Sequence, residues 1–184
     1  MFIMLARSYP KEAQIVGRIL GGYPELEFAM AICVYEAGED FDVVFKSLFG
    51  TRGETRRIDK AEALGRLKFR KLGLETEFEM AIGDLRYFLR IRNQYAHAHW
   101  IADETGLGVL DLEELGKQEA KVDGSTLSGF HPINLEILET QEKFGEYVEE
   151  MFHWLEVEAA CRRERLRKPI PKPTQTARPL LYKH

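Results

Sequence analysis

The stretch DLRYFLRIRNQYAHAHW, Asp84 to Trp100, decides how this chain is read. Wound as an α-helix at about 100° per residue, and continued back to Phe78, it sorts into three sides. Phe78, Ile82, Leu85, Leu89 and Ala96 share one apolar face, with Arg92 at its margin. Arg86, Arg90, Asn93 and His97 follow i, i+4, i+7, i+11 spacing and form a second stripe. Met80, Tyr87, Ile91 and Tyr95 occupy a third side. A helix apolar on two sides belongs between packed neighbours, in a bundle or a dimer.

Working outward, the chain around this helix also reads as helical. Lys11–Leu20 predicts a short helix ended by Gly21-Gly22, and Pro24 suits the first position of a second helix to Ala37, with Gly38 past its end. Phe41–Phe49 predicts a third, closed by Gly50. Thr55 is placed to cap a fourth, reaching Leu72 and stopped by Gly73. Thr76 opens the decisive one, Glu77 to Ala96. Downstream, Trp100-Ile101-Ala102, the turn-like Asp103–Gly106 and Leu107–Leu112 predict a short hairpin or an irregular insertion. Gly124, Ser125, Ser128 and Gly129 mark a loop. Asn134 then caps a long last helix, whose Leu135, Leu138, Phe144, Val148, Met151, Phe152, Leu155 and Ala159 keep helical spacing almost to Arg167. The expected fold class is all-α: a helical bundle with one insertion before its last helix.

A length of 184 residues suits one domain, taken here as 1–167, followed by a basic, proline-rich tail at 168–184. Pro169, Pro171, Pro173 and Pro179 predict that the tail is extended. With 45% hydrophobic and 30% charged residues the composition is globular. The apolar run Met1–Leu5 is too short for a signal-peptide core and lacks a basic leader. A run of about 18 apolar residues is missing, so a cytoplasmic protein without membrane contact is expected. Cys33 and Cys161 sit in apolar, helix-like stretches and read as buried free thiols. The net charge of −4 divides unevenly: residues 162–184 carry +7, which leaves −11 on residues 1–161. That balance excludes non-specific coating of nucleic acid but leaves room for a small basic site.

Within the decisive helix, an arginine buried without a partner would cost several kcal/mol. Arg92 therefore needs a carboxylate, a phosphate or a wet cleft. Glu25, Glu27 and Glu36 are candidate carboxylates, and the sequence does not choose among them. Arg92 in a structural ion pair and His97 as a satisfied surface residue are the competing readings. His97 and His99 alone do not make a metal site, and no metal or cofactor is expected. Gly21-Gly22 and Gly106-Leu107-Gly108 lack the neighbours of a phosphate loop, and no nucleophilic serine motif occurs.

Arg92-Asn93-Gln94-Tyr95-Ala96-His97 resembles the signature of the HEPN superfamily (higher eukaryotes and prokaryotes nucleotide-binding domains): an arginine, a polar residue, then a histidine a few positions on. The resemblance implies a HEPN-like bundle over roughly residues 10–165. It also implies a metal-independent endoribonuclease of toxin or defence type, acting as a homodimer with motifs from two subunits lining one cleft. In such an enzyme the ribose 2′-hydroxyl would attack the adjacent phosphate. His97 would move the proton, Arg92 would bind the phosphate, and Asn93 would orient either. Arg86, Arg90, Tyr95, His99 and Trp100 would hold substrate, the three rings by stacking on a base. The implied partners are RNA or a nucleotide, a second copy, and a cognate antitoxin. The alternative is a non-catalytic HEPN-type dimer that binds a nucleotide or a protein. For the tail, gripping RNA phosphates or an acidic partner stands against a solvated terminus.

Overall fold

Helix α1 runs unbroken from Pro10 to Glu36, where two helices were expected. Gly21, Gly22 and Pro24 all lie inside it. Each glycine costs a helix about 1 kcal/mol, and the proline removes one rung of its ladder. Burial on both sides of the break outweighs that loss: Ile15, Val16 and Ile19 precede it, and Tyr23, Leu26 and Met30 follow, all at most 5% exposed. The computed structural model describes residues 6–103, 106–110 and 130–182. The Met1–Leu5 run, the predicted loop at 124–129 and the predicted continuation of the hairpin to Leu112 lie outside them.

After α1 come α2 (Phe41–Phe49), α3 (Glu54–Lys71) and α4 (Glu75–Ala96). A small sheet follows, and then α5 (Leu135–Arg162). The protein is thus mostly helical, with one three-stranded antiparallel sheet among the described residues. The expected boundaries of α2 hold to the residue: Asp40 caps it by accepting from Val43 N at 3.1 Å, and Gly50 follows its end. α3 begins earlier than predicted, with Gly53 (φ 88°) rather than Thr55 at its N-cap. Gly73 past its end takes φ 68°, a left-handed conformation that suits glycine. Asn134 caps α5 as expected, its Oδ1 accepting from Ile137 N at 2.8 Å. That helix stops at Arg162, short of the predicted Arg167.

The described chain divides into two compact units. The boundary falls within α1, α4 and α5, so each of these helices supplies residues to both. Unit 1 takes residues up to Gly21, then Arg90–Lys143 and Pro179 onward. Its sheet has the order β1 (His99–Asp103), β2 (Gly106–Leu110), β3 (Phe130–Pro132). Trp100 faces Val109 across the first pair, and Gly108 faces Pro132 across the second. Gly106, at φ 130°, opens β2. The hairpin was legible; the third strand was not. Trp100, Leu107, Val109, Leu110, Ile133 and Leu138 are buried in this unit.

Unit 2 comprises Gly22–Leu89 and Phe144–Arg178. Val44 and Leu48 turn the inner face of α2 into its core, and α2 packs on α3. Phe78 stacks on Phe69 with ring centroids 4.3 Å apart. It can do so because Gly65 has no side chain: a Cβ there would lie 2.6 Å from Phe78 Cζ. Gly145 admits Phe88 in the same way, again at 2.6 Å. Arg57 closes on Glu27 at 2.6 Å.

From Arg163 to Tyr182 the chain has no regular structure, and it lies against each unit in turn. In unit 2, Arg162 Nη1 donates to the carbonyls of Leu72 and Gly73, and Arg163 Nη1 to that of Glu36. Arg165 bonds the Glu36 carboxylate, Lys172 that of Glu77, and Arg178 that of Asp84. In unit 1, Leu180 offers its carbonyl to Gln141 Nε2 at 2.7 Å. Among the described residues, no helix is long and apolar enough to cross a membrane. Both cysteines are free thiols; Cys33 is buried, whereas Cys161 is half-buried rather than enclosed.

Candidate functional site

The last two turns of α4 carry the motif. Ile91 and Tyr95 are buried and anchor this end of the helix in unit 1. Arg92 and Asn93, between them, are half-buried. Arg92 Nη1 donates to Asn93 Oδ1 at 2.9 Å. With its oxygen turned to Arg92, the Asn93 amide presents its NH2 elsewhere, as a donor. The helix ends at Ala96, and His97 N still donates to Asn93 O at 3.3 Å. His97 is exposed, one step beyond the last helical residue. A guanidinium, an amide and an accessible imidazole are therefore set within two turns of one helix end. Such a set can bind a phosphate and exchange a proton.

The other candidate residues fare differently. Arg90 is exposed at the start of the same two turns. His99 is half-buried in β1, opposite Leu110. Tyr95 and Trp100, expected to stack on a base, stack on each other with centroids 5.7 Å apart and are 2% and 7% exposed. Their packing is internal. Arg86 belongs to unit 2, where it bonds Asp59 at 2.8 Å and Glu62 at 2.6 Å. Its bond to Glu62 holds that carboxyl below the usual range. Burial works against the Arg86 charge, but the bonds from Asp59 and Glu62 more than offset it. Two of the carboxylates considered for Arg92 have arginines of their own: Glu27 receives Arg57, and Glu36 receives Arg165.

A polar cluster that sequence reading missed lies beside the motif, all of it in unit 1. Tyr95 OH donates to Gln141 Oε1, and Tyr182 OH donates to the carbonyl of Gln94. The Tyr182 ring sits 5.7 Å from that of Tyr95 and 5.3 Å from His131. Burial, and then the neighbouring Tyr182, raise the Tyr95 hydroxyl far above its ordinary value. Tyr95 thus stays protonated and acts as a fixed donor rather than an acid or base. Gln141 had a visible signal: it occupies an apolar phase of α5, between Leu138 and Phe144, and is fully buried.

Comparison with protein-family models, with curated proteins and with solved structures finds no match. Among the described residues, no group of three or more His, Cys, Asp or Glu side chains is placed to hold a metal ion.

Proposed function

We propose that this chain is a HEPN-type, metal-independent endoribonuclease that works as a homodimer. The observation that carries the reading is the arrangement at the end of α4: Arg92 bonded to Asn93, and an exposed His97 one turn beyond. Arg92 and Asn93 bind the scissile phosphate by charge-assisted hydrogen bonds. His97 takes the proton from the ribose 2′-hydroxyl as its oxygen attacks the adjacent phosphate; the bond to the 5′-oxygen of the next nucleotide breaks, the second subunit's His97 protonates that departing oxygen, and a 2′,3′-cyclic phosphate is left. Arg90, exposed nearby, adds positive potential for the approaching RNA. A toxin or defence role, with a cognate antitoxin as partner, belongs to the same reading.

A second reading, a HEPN-type dimer that binds a nucleotide or a protein without cutting, is favoured by the charge balance. The body carries −11, and the tail cations Lys172 and Arg178 are matched by Glu77 and Asp84. These leave less positive surface than a general RNA binder uses.

One assay separates the two. Labelled structured RNA and a matching DNA are incubated with the protein in excess chelator, beside the Arg92→Ala and His97→Ala variants. The nuclease reading expects RNA-only cleavage that survives chelation, with a loss of at least about 100-fold in either variant. His97 is exposed, so His97→Ala should keep its thermal midpoint. Intact RNA with the well-folded wild type, and saturable nucleotide binding, would favour the second reading.

A further inference from the structure

The outward side of α3 is a line of cations that the fold leaves unanswered. Residues 52–71 hold eight basic side chains and three acidic ones, a net +5 inside a body of −11. Four of the eight have acids of their own: Arg57 has Glu27, Arg66 has Glu62, Lys68 has Glu39 and Arg70 has Glu75. The other four, Arg52, Arg56, Lys60 and Lys71, are exposed, and no carboxylate among the described residues pairs with them. On the helix, Arg56, Lys60, Leu67 and Lys71 fall within an arc of roughly 60°. That arc lies opposite the buried Ile58, Ala61, Gly65 and Phe69. From Arg56 to Lys71 it runs about 22 Å. Arg52 heads the line from the turn between α2 and α3. Phe49, the last residue of α2, precedes it with its ring 42% exposed. Thr51 fixes this corner: its N–H donates to the Leu48 carbonyl at 3.0 Å, its hydroxyl donates to the Ser47 carbonyl at 2.7 Å, and its own carbonyl accepts from Arg57 Nε at 3.1 Å. All of this lies in unit 2.

We propose that this ridge binds single-stranded nucleic acid, with phosphates along Arg52, Arg56, Lys60 and Lys71 and a base on Phe49. Unpaired cations are free to replace the counterions of a phosphate backbone. An open ring at the head of a cationic line is how a single strand is held without reading its sequence. Shape chooses a strand over other polyanions. The line is one helix wide. A flat anionic membrane, or a folded acidic protein, would also meet the exposed carboxylates of α3 and α2, Asp59 and Asp42, and the negative remainder of the body. A single strand follows the line and avoids them. Its bases are also unstacked and free to lie on Phe49, as those of a duplex are not. The contacts are to phosphate and base, so DNA serves as well as RNA. The inference therefore goes beyond the function proposed above: it uses neither the motif of α4 nor a second copy. Its test uses DNA, which the proposed reaction cannot cut, so either can fail alone.

The test is fluorescence anisotropy of a labelled oligothymidylate of about 15 nucleotides, titrated with the full chain over a range of salt. Circular dichroism confirms that each variant folds. The wild type is expected to bind with a Kd of about 10–100 μM near 50 mM salt. Four phosphate contacts give a slope of about −3 for log affinity against log salt. Arg56→Ala, Lys60→Ala and Lys71→Ala should each flatten that slope by about 0.7. Phe49→Ala should weaken binding about tenfold and leave the slope as it was, because stacking releases no ions. Lys143, an exposed cation of α5 in unit 1, is the control for net charge, and Lys143→Ala should change neither quantity. Anisotropy that stays flat to about 200 μM protein near 50 mM salt would overturn the proposal. So would ridge variants that keep the wild-type slope, a Lys143→Ala protein that flattens it equally, or Phe49→Ala binding as tightly as the wild type. Phosphatidylserine vesicles, sedimented with the protein at the same salt, are expected to leave it in solution. Capture by those vesicles without binding of the oligonucleotide would overturn the proposal in favour of a membrane surface.

Discussion

The same C-terminal segment is held by different chemistry in the two units. Against unit 2 it is fastened by cations: Arg165 on Glu36, Lys172 on Glu77, Arg178 on Asp84. Two of these cations also lie over rings, Lys172 over Trp154 at 5.1 Å and Arg178 over Tyr87 at 5.3 Å. Against unit 1 it is fastened by neutral groups, the carbonyl of Leu180 and the phenol of Tyr182. Ionic contacts that remain half open to water weaken with salt and acid, and contacts between neutral groups do not. One segment should therefore come loose in two ways.

The largest effect is expected at Arg178. Asp84 is 5% exposed, and Arg178 and Tyr147 are its partners. Removing the guanidinium by Arg178→Ala should cost about 2–3 kcal/mol in urea unfolding. A loss below about 0.5 kcal/mol would mean that Tyr147 satisfies Asp84 unaided. Tyr95→Phe comes next. It strips Gln141 Oε1, fully buried, of its donor and should cost about 1–2 kcal/mol, equally at low and high salt. Strong salt dependence of that loss would break the contrast drawn here.

Acid should sharpen it. Burial raises the Glu77 carboxyl, but a backbone bond and then Lys172 more than offset it. Carboxyls depressed by folding stabilise fully above the ordinary value of about 4.3 and lose that contribution as pH falls through the lower folded one. Below about pH 4, hydrogen exchange and proteolysis should therefore quicken around Lys172 before residues 180–182. Simultaneous loosening of both would count against separate fastenings. The smallest effect belongs to Lys172→Ala. Its side chain is 42% exposed, so under about 1 kcal/mol is expected, vanishing near 1 M salt.

Much of the fold was legible because its signals are local. α2 announces both ends through Asp40 and Gly50, and Asn134 announces the start of α5. The first helix was misread because Gly21, Gly22 and Pro24 are local breakers, and only distant packing keeps α1 whole. β3 is three residues long, too short to show a period. At the candidate site, the triad Arg92, Asn93 and His97 could be read from one helix. What surrounds it could not, because Tyr182 reaches Gln94 from 88 residues away. The roles of Tyr95 and Trp100 were open for the same reason: a ring that suits a ligand suits a neighbouring ring equally well.

The two thiols give the molecule a built-in counter. Cys33 is sealed in the core, its thiol pushed well above the ordinary value by burial and by the nearby charge of Glu156. Cys161, at the end of α5, is half open. Thiolate is the reactive form, so an alkylating reagent should stop at a single adduct on the folded chain and reach a second only when the core opens. Intact mass, read over time, then reports breathing of the interior directly, with no foreign label and no engineered residue.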